Sequence, residues 1–198
     1  MRELYVIGFD AGFVHIGYMV VKLPGHVTDK PIPIELGVSD APIASQKERK
    51  RKGLPVAVQT VLRIRKQARF VAALCEKYKP AATFIEYPHG GAKSAIAARS
   101  MGAATGLLAA TLEVALPDKP SIVFLPSDIK EAIAGSFKAS KEEIARKVMD
   151  YWPEIKNWPG FKLDGSGQKV SSDATDAGAV VIAATRHDIY KSLFAERG

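Results

Sequence analysis

Leu4-Tyr5-Val6-Ile7-Gly8-Phe9 is a short apolar run, rich in aromatic and β-branched side chains, that stops on Asp10, Ala11 and Gly12. A run of this length bounded by a turn glycine predicts a buried strand with an acid at its end. Residues 16–23 repeat the pattern and predict a second strand. Residues 30–38 predict a third, placed at an edge because Pro31 and Pro33 cannot donate to a ladder on both sides. Three strands joined by short links predict an antiparallel meander. Further out, residues 55–79 predict a long helix, with Val61, Ile64, Ala68, Val71, Cys75 and Tyr78 on one apolar stripe. Arg63, Lys66 and Arg69 fall off that stripe and predict a solvated face. Residues 81–86 predict a strand ending on Glu86, followed by the Gly-rich stretch Pro88-His89-Gly90-Gly91. A helix rich in small residues is expected over 93–115, close to a sheet or to a second copy, and a strand over 121–125. Ser127 is the expected cap of a helix over 128–134. Ser140-Lys141-Glu142-Glu143 is a capping box opening a helix through 149. Residues 152–169 are expected to be loop, and Ser172 caps a last helix over 173–190. The expected fold is α/β, a five-stranded mixed sheet covered by helices on both faces, in one domain over residues 1–198.

The chain has 198 residues, with 28 Lys and Arg against 21 Asp and Glu, a net charge of +7 and a pI of about 9.4. That excess suits a polyanionic partner, either nucleic acid or an anionic membrane surface. Cys75 is the sole cysteine, which excludes an intrachain disulfide and a zinc site built from several cysteines. It falls on the apolar stripe and reads as core filler. The first residues carry an early acid and do not read as a signal peptide, and no apolar run approaches the roughly 20 residues of a spanning helix. A cytoplasmic protein with no membrane partner is expected. Ser45 to Gly53 holds five cations and one acid. Lys50 and Arg51 within it belong either to a solvated loop or to an arm that contacts phosphate.

Four carboxylates stand where a carboxylate is unfavourable unless it has work to do. Asp10 and Glu86 end apolar strands, and an unpaired buried carboxylate is strongly penalised. Asp173 and Asp176 lie three apart at the start of an otherwise apolar helix, on one face of its first turn. Blander readings exist: a turn residue, a partner for a structural cation, or acids that complement a helix N-terminus. Together, acids from two strand ends and one helix start can converge on one edge of a sheet. Converging carboxylates repel unless cations neutralise them, and such hard oxygen ligands suit Mg²⁺, with Mn²⁺ as a substitute. Two such ions roughly 4 Å apart can activate a water and stabilise the leaving 3′-oxygen of a phosphodiester.

These blocks, in this order, resemble the RuvC family of Holliday-junction resolvases, members of the RNase H-like superfamily. Gly8-Phe9-Asp10-Ala11-Gly12 with Gly17-Tyr18 is similar to the family's first strand and turn, and Ala82-Thr83-Phe84-Ile85-Glu86 to the strand carrying its glutamate. Residues 94–110, with Arg99, Gly102 and Gly106, resemble the following helix, and Asp173-Ala174-Thr175-Asp176-Ala177 the final motif. The resemblance implies catalytic and metal-binding roles for Asp10, Glu86, Asp173 and Asp176, two Mg²⁺ per site, and paired nicks in four-way DNA by a homodimer. Asp128-Ile129-Lys130-Glu131-Ala132 and Lys138-Ala139-Ser140-Lys141 resemble the DNA-contacting segment, which implies that Lys130, Lys138 and Lys141 meet the DNA. The family often carries an aromatic wedge just beyond its glutamate. Here Tyr87 or His89 would have to serve, or nothing does, which is a departure from the pattern.

Three other readings compete. An actin-like ATPase or sugar kinase also opens with a strand, an Asp and a glycine turn, but it needs a second lobe and a second phosphate-gripping turn, so no nucleotide cofactor is expected. A related nuclease on RNA or on other branched DNA would share the metal chemistry. A non-enzymatic DNA-binding protein would use the basic charge alone.

Overall fold

Strand β1 (Tyr5–Ala11) lies at the centre of the five-stranded sheet of a computed structural model, which describes residues 3–40, 53, 55–87, 94–159, 162–163 and 169–195. It pairs antiparallel with β2 (His15–Lys22) and parallel with β4 (Ala82–Glu86), so the sheet is mixed. β3 (Ile32–Asp40) adds antiparallel to β2, and β5 (Ser121–Phe124) adds parallel to β4, giving the order β3-β2-β1-β4-β5. The proline-bearing strand is at an edge, as its missing donors require, and Pro33 sits next to a register irregularity between Val20 and Val21.

Alternation along the strands explains why both faces are apolar. Val6, Met19, Val21, Ala82 and Phe84 point into one core with helix α5 (Asp173–Ala184). Ile7, Phe9, Ile16, Tyr18, Val20 and Ile85 point into the other. Helices α1 (Val56–Tyr78) and α2 (Ala95–Ala115) cover that second face, contributing Val71, Leu74, Cys75, Leu108 and Leu112. Helices α3 (Pro126–Ala134) and α4 (Lys141–Tyr151) pack with α5 on the first face through Ile129, Ile144 and Val148.

Several expectations are corrected. The buried stripe of α1 is rotated toward polar residues. Val61 is 54% exposed, whereas Gln59, Gln67 and Arg63, the last 5% exposed, are buried. Gln67 donates through Nε2 to the Val14 carbonyl at 3.0 Å and accepts from Ser39 Oγ at 2.6 Å, while the Arg63 guanidinium stacks on Phe13 at 5.0 Å. Hydrogen bonds to Val14 and Ser39 make Gln67 acceptable inside and stacking on Phe13 accommodates Arg63, whereas the Gln59 amide is buried without a hydrogen-bond partner among the described residues. Helix α3 starts one residue before Ser127. Pro126 occupies the first turn, where its missing donor costs nothing, and the Asp128 carboxylate accepts from the Leu125 N–H at 3.3 Å.

The stretch after α4 is not all loop. It holds the short antiparallel pair β6 (Lys162–Leu163) and β7 (Lys169–Ser171), and both Trp152 and Trp158 are buried, with Trp152 Nε1 donating to the Pro31 carbonyl at 3.0 Å. The last helix divides into α5 and α6 (Asp188–Ala195). Thr185 Oγ1 donates to the Ile182 carbonyl at 2.7 Å and His187 Nδ1 accepts from the Ile189 N–H at 3.2 Å. These side chains thus take over backbone groups that a continuous helix would pair. Along α2, a side chain added at Gly102 or Gly106 would meet nothing, so these small residues face open space while Ala104, Leu108 and Leu112 face inward.

Candidate active site

Register brings the first two acids together. Asp10 on β1 lies directly across from Glu86 on the parallel strand β4, and both take the sheet face that packs against α5. Parallel pairing of two strands that each end on an acid leaves both carboxylates at one edge.

The second pair arrives on α5. Ser172 caps this helix, its Oγ accepting from the Thr175 N–H at 3.0 Å while the Thr175 hydroxyl accepts from the Ser172 N–H at 2.8 Å. The reciprocal cap fixes the first turn, on which Asp173 and Asp176 stand. What sets the turn close to the strands is glycine. A methyl group at Gly17 would lie 1.9 Å from the Asp173 carbonyl oxygen, and one at Gly8 would lie 2.6 Å from the Ala177 carbonyl oxygen. Both contacts are to backbone, so no side-chain rearrangement relieves them.

As a result, Asp10, Asp173 and Asp176 each offer a carboxylate oxygen, and these atoms all lie within 4.8 Å of one another. Glu86 joins Asp10 and Asp176 in a cleft of ≈370 Å³ whose other walls are Pro126, Ile129, Lys130, Lys141, Ile144 and Ala179. Burial pushes the Asp10 carboxyl well above its usual range, and repulsion from Glu86, Asp176 and Asp173 adds to the rise. Burial likewise lifts Glu86 to about 7, helped by Asp176 and opposed by Lys141 and Lys130. The Lys141 ammonium lies 3.2 Å from Asp176 Oδ2. Burial works against the Lys141 charge, but Asp176, then Asp10 and Glu86, outweigh it and hold that pKa above the ordinary value. Closely spaced hard oxygens that repel one another, partly buried, could hold a cation.

The other expected contact residues divide. Lys130 and Lys141 line the cleft. Lys138 is exposed on the α3–α4 connection, its ammonium 5.8 Å from the Phe137 ring centre. Tyr87 is exposed directly after Glu86, with its N–H donating to the Phe124 carbonyl at 2.8 Å. His89, Lys50 and Arg51 lie outside the described residues.

Gly17→Ala is expected to lower stability by about 1–3 kcal/mol, since the new methyl must push α5 off the sheet. It should also reduce the rise in melting temperature produced by divalent cations, because Asp173 and Asp176 move with the helix. Thermal melts with and without Mn²⁺ measure both effects. An unchanged metal response would show that α5 does not carry cation ligands.

The chain is 30% identical over 146 residues to the crossover junction endodeoxyribonuclease RuvC of Bacteroides fragilis, an alignment covering 73% of this chain and 67% of that protein. Its fold is similar to that of Thermus thermophilus RuvC, alone (23% identity) and in complex with a Holliday junction substrate (22% identity). Each match has a TM-score of 0.66 and covers 96% of both chains. The yeast mitochondrial Holliday junction resolvase Ydc2 shares the fold at 11% identity and a TM-score of 0.56, covering 96% of this chain and 82% of that one. No family model matches the chain.

Proposed function

The chain belongs to the RuvC family of crossover junction endodeoxyribonucleases, and from that premise we propose that it hydrolyses phosphodiesters at four-way DNA junctions by paired, symmetric nicks. The observation that carries the reading is the convergence of Asp10, Asp173 and Asp176, with Glu86 across the strand register, beside Lys130 and Lys141 in one cleft. A solved structure of the Thermus thermophilus relative with a Holliday junction supports the choice of substrate.

The four acids form an oxygen donor set that suits Mg²⁺, or Mn²⁺ in its place, and two such ions would be held between the strand-end pair and the helix pair. When bound, the ions would supply Lewis-acid activation of water and neutralise the leaving 3′-oxygen. The remaining work belongs to side chains of the chain itself. Asp10 and Glu86 are fixed by strand pairing and Asp173 and Asp176 by a capped helix turn, so the donors are positioned before substrate arrives. Lys141, tethered to Asp176, would offer one positive charge to a phosphate entering the cleft, and Lys130, which also lines it, would offer a second. Products would be a 5′-phosphate and a 3′-hydroxyl. Two copies would place two such sites on one junction, and the open face of α2 at Gly102 and Gly106 leaves room for a second copy to approach.

The test is a panel of labelled junctions, flaps, duplexes and RNA–DNA hybrids incubated with Mg²⁺, beside the Asp10→Asn protein. Nicks at symmetric positions in the junction, absent with Asp10→Asn, are the expected result. Faster cutting of flaps or hybrids would reassign the substrate. Binding without cutting under either cation would reassign the chain as a DNA-binding module. Lys130→Ala is expected to weaken binding evenly across junction sequences and to reduce the salt dependence by roughly one charge. Anisotropy titrations at several salt concentrations check this, and loss confined to particular sequences would contradict a phosphate contact.

A further inference from the structure

Among the described residues only two aromatic side chains are exposed, Tyr87 and Phe137. Phe137 is the more exposed, at 62%. A phenylalanine that gains little from burial in the fold needs another explanation when its neighbours are ordered by a defined turn. Here the turn is well defined. Gly135 closes α3 in the left-handed region at φ 71°, and the Ser136 Oγ accepts from the Lys138 N–H at 3.2 Å. The Ser136 carbonyl accepts from the Ala139 N–H at 3.2 Å, and Ala139 is buried. The turn is thus anchored on both sides of Phe137, and its ring is displayed outward rather than left over from a loose loop.

Position gives the display a meaning. The turn joins α3, which carries Lys130, to α4, which begins at Lys141, and these two lysines line the acidic cleft. Lys138 next to it keeps its ammonium 5.8 Å from the ring. A flat apolar surface flanked by cations that can hold phosphates matches a nucleotide whose base has left its stack. Base–aromatic stacking needs only a π-face and is tolerant of sequence. Inside a duplex both faces of a base are covered, so such a surface is useful only where strands part.

We propose that Phe137 stacks on an unpaired nucleobase at the branch point of the DNA held in the cleft, with Lys138 contacting the adjoining phosphate. The inference rests on the nuclease reading above and adds a residue to it. Phe137 would be a substrate-positioning residue that distinguishes branched from continuous DNA, since only the former offers a free base face. Nothing in hydrophobic periodicity marks Phe137, because it falls between two helices. The available sequence signal was an aromatic placed next to a lysine in a turn between two expected DNA-contacting segments.

The test uses the full chain carrying Asp10→Asn, so that binding is scored without cutting. Junctions carrying 5-iodouracil at single positions near the branch are irradiated in complex, and the crosslinked peptide is identified by mass spectrometry. The expected crosslink maps to Phe137 at one or two branch positions and is absent from a linear duplex. Phe137→Ala should weaken junction binding roughly ten-fold and leave duplex binding unchanged, Phe137→Leu should fail similarly, and Phe137→Trp should retain affinity. Circular dichroism melts confirm that each variant folds. If Phe137→Leu binds junctions as well as the parent, apolar volume suffices and stacking is excluded. If the crosslink maps to Tyr87 instead, Phe137 is not the stacking residue. Should the parent nick junctions while Phe137→Ala matches it in every readout, this inference fails alone. Should the parent neither bind nor cut any DNA, the functional reading fails and takes this inference with it.

Discussion

Replacing Asp10 with asparagine should abolish Mg²⁺-dependent nicking and at the same time raise the melting temperature of the metal-free protein. The two effects have one cause. Asp10 is the carboxylate at which three others converge, and burial together with repulsion from Glu86, Asp176 and Asp173 drives its pKa upward. In metal-free protein at neutral pH, that crowding destabilises the native state, because unfolding lets the charges separate and rehydrate. Asparagine keeps the shape and removes the charge. For a chain of this length each kcal/mol recovered moves the melting temperature by about 2–4 °C, so a rise of several degrees is expected. Cutting should fall at least roughly 100-fold, since a cation held by one carboxylate fewer loses much of its power to stabilise developing charge. Single-turnover nicking and scanning calorimetry of the same preparation check both halves. A variant that is inactive and also less stable would mean that Asp10 is held by a structural partner rather than opposed by other acids.

The second expected result concerns pH. Glu86 is lifted from 4.5 to about 7, with burial the main cause and Asp176 the next. A raised acid pKa contributes stability that is fully present below the unfolded value and is lost as pH rises through the folded value. The metal-free protein should therefore lose stability between about pH 4.5 and pH 7, by about 3 kcal/mol from this group alone. Divalent cations reverse the trend. A cation binds the ionised acids of the native state, so it must displace the proton that Glu86 holds below about pH 7, and its stabilisation grows as that proton leaves. Melts across pH 5–9 with and without Mg²⁺ should give two curves that diverge upward from about pH 6, with the nicking rate rising over the same interval. A metal-induced shift that is constant across this range would remove Glu86 from the cation site. Glu86→Gln should flatten the metal-free curve.

These expectations depend on features that were legible in the sequence to different degrees. Apolar runs that end on Asp10 and Glu86 identify both strands and both acids, because a buried strand and a penalised carboxylate leave a local signature. Ser172 ahead of Asp173 and Asp176 identifies the helix start for the same reason. Convergence is another matter. It depends on β1 and β4 being adjacent and parallel, with Asp10 opposite Glu86, and on α5 seating its first turn over Gly17. No local pattern encodes those long-range pairings, and the family resemblance is what links the blocks. Arg63 and Gln67 show the opposite limit. Periodicity places Arg63 toward solvent and a polar Gln67 carries no core signal, yet hydrogen bonds and stacking contributed by Val14, Ser39 and Phe13 bring both inside. The break between α5 and α6 is missed for a similar reason, since Thr185 and His187 replace helical bonds with their own.

The glycine seating of α5 has a consequence for redesign. The close approach of the helix acids to the strand-end acids depends on α5 backbone seating over Gly8 and Gly17, where a methyl group would meet the Ala177 and Asp173 carbonyl oxygens. Substituting core residues around the helix will change stability without tuning that approach. Calcium requires longer bonds and more oxygen ligands than magnesium. An attempt to convert the site to calcium should therefore extend a donor, with Asp176→Glu as the direct choice, rather than repack the interior. If the site takes magnesium as proposed, the reach of its carboxylates is the variable that a redesign can adjust.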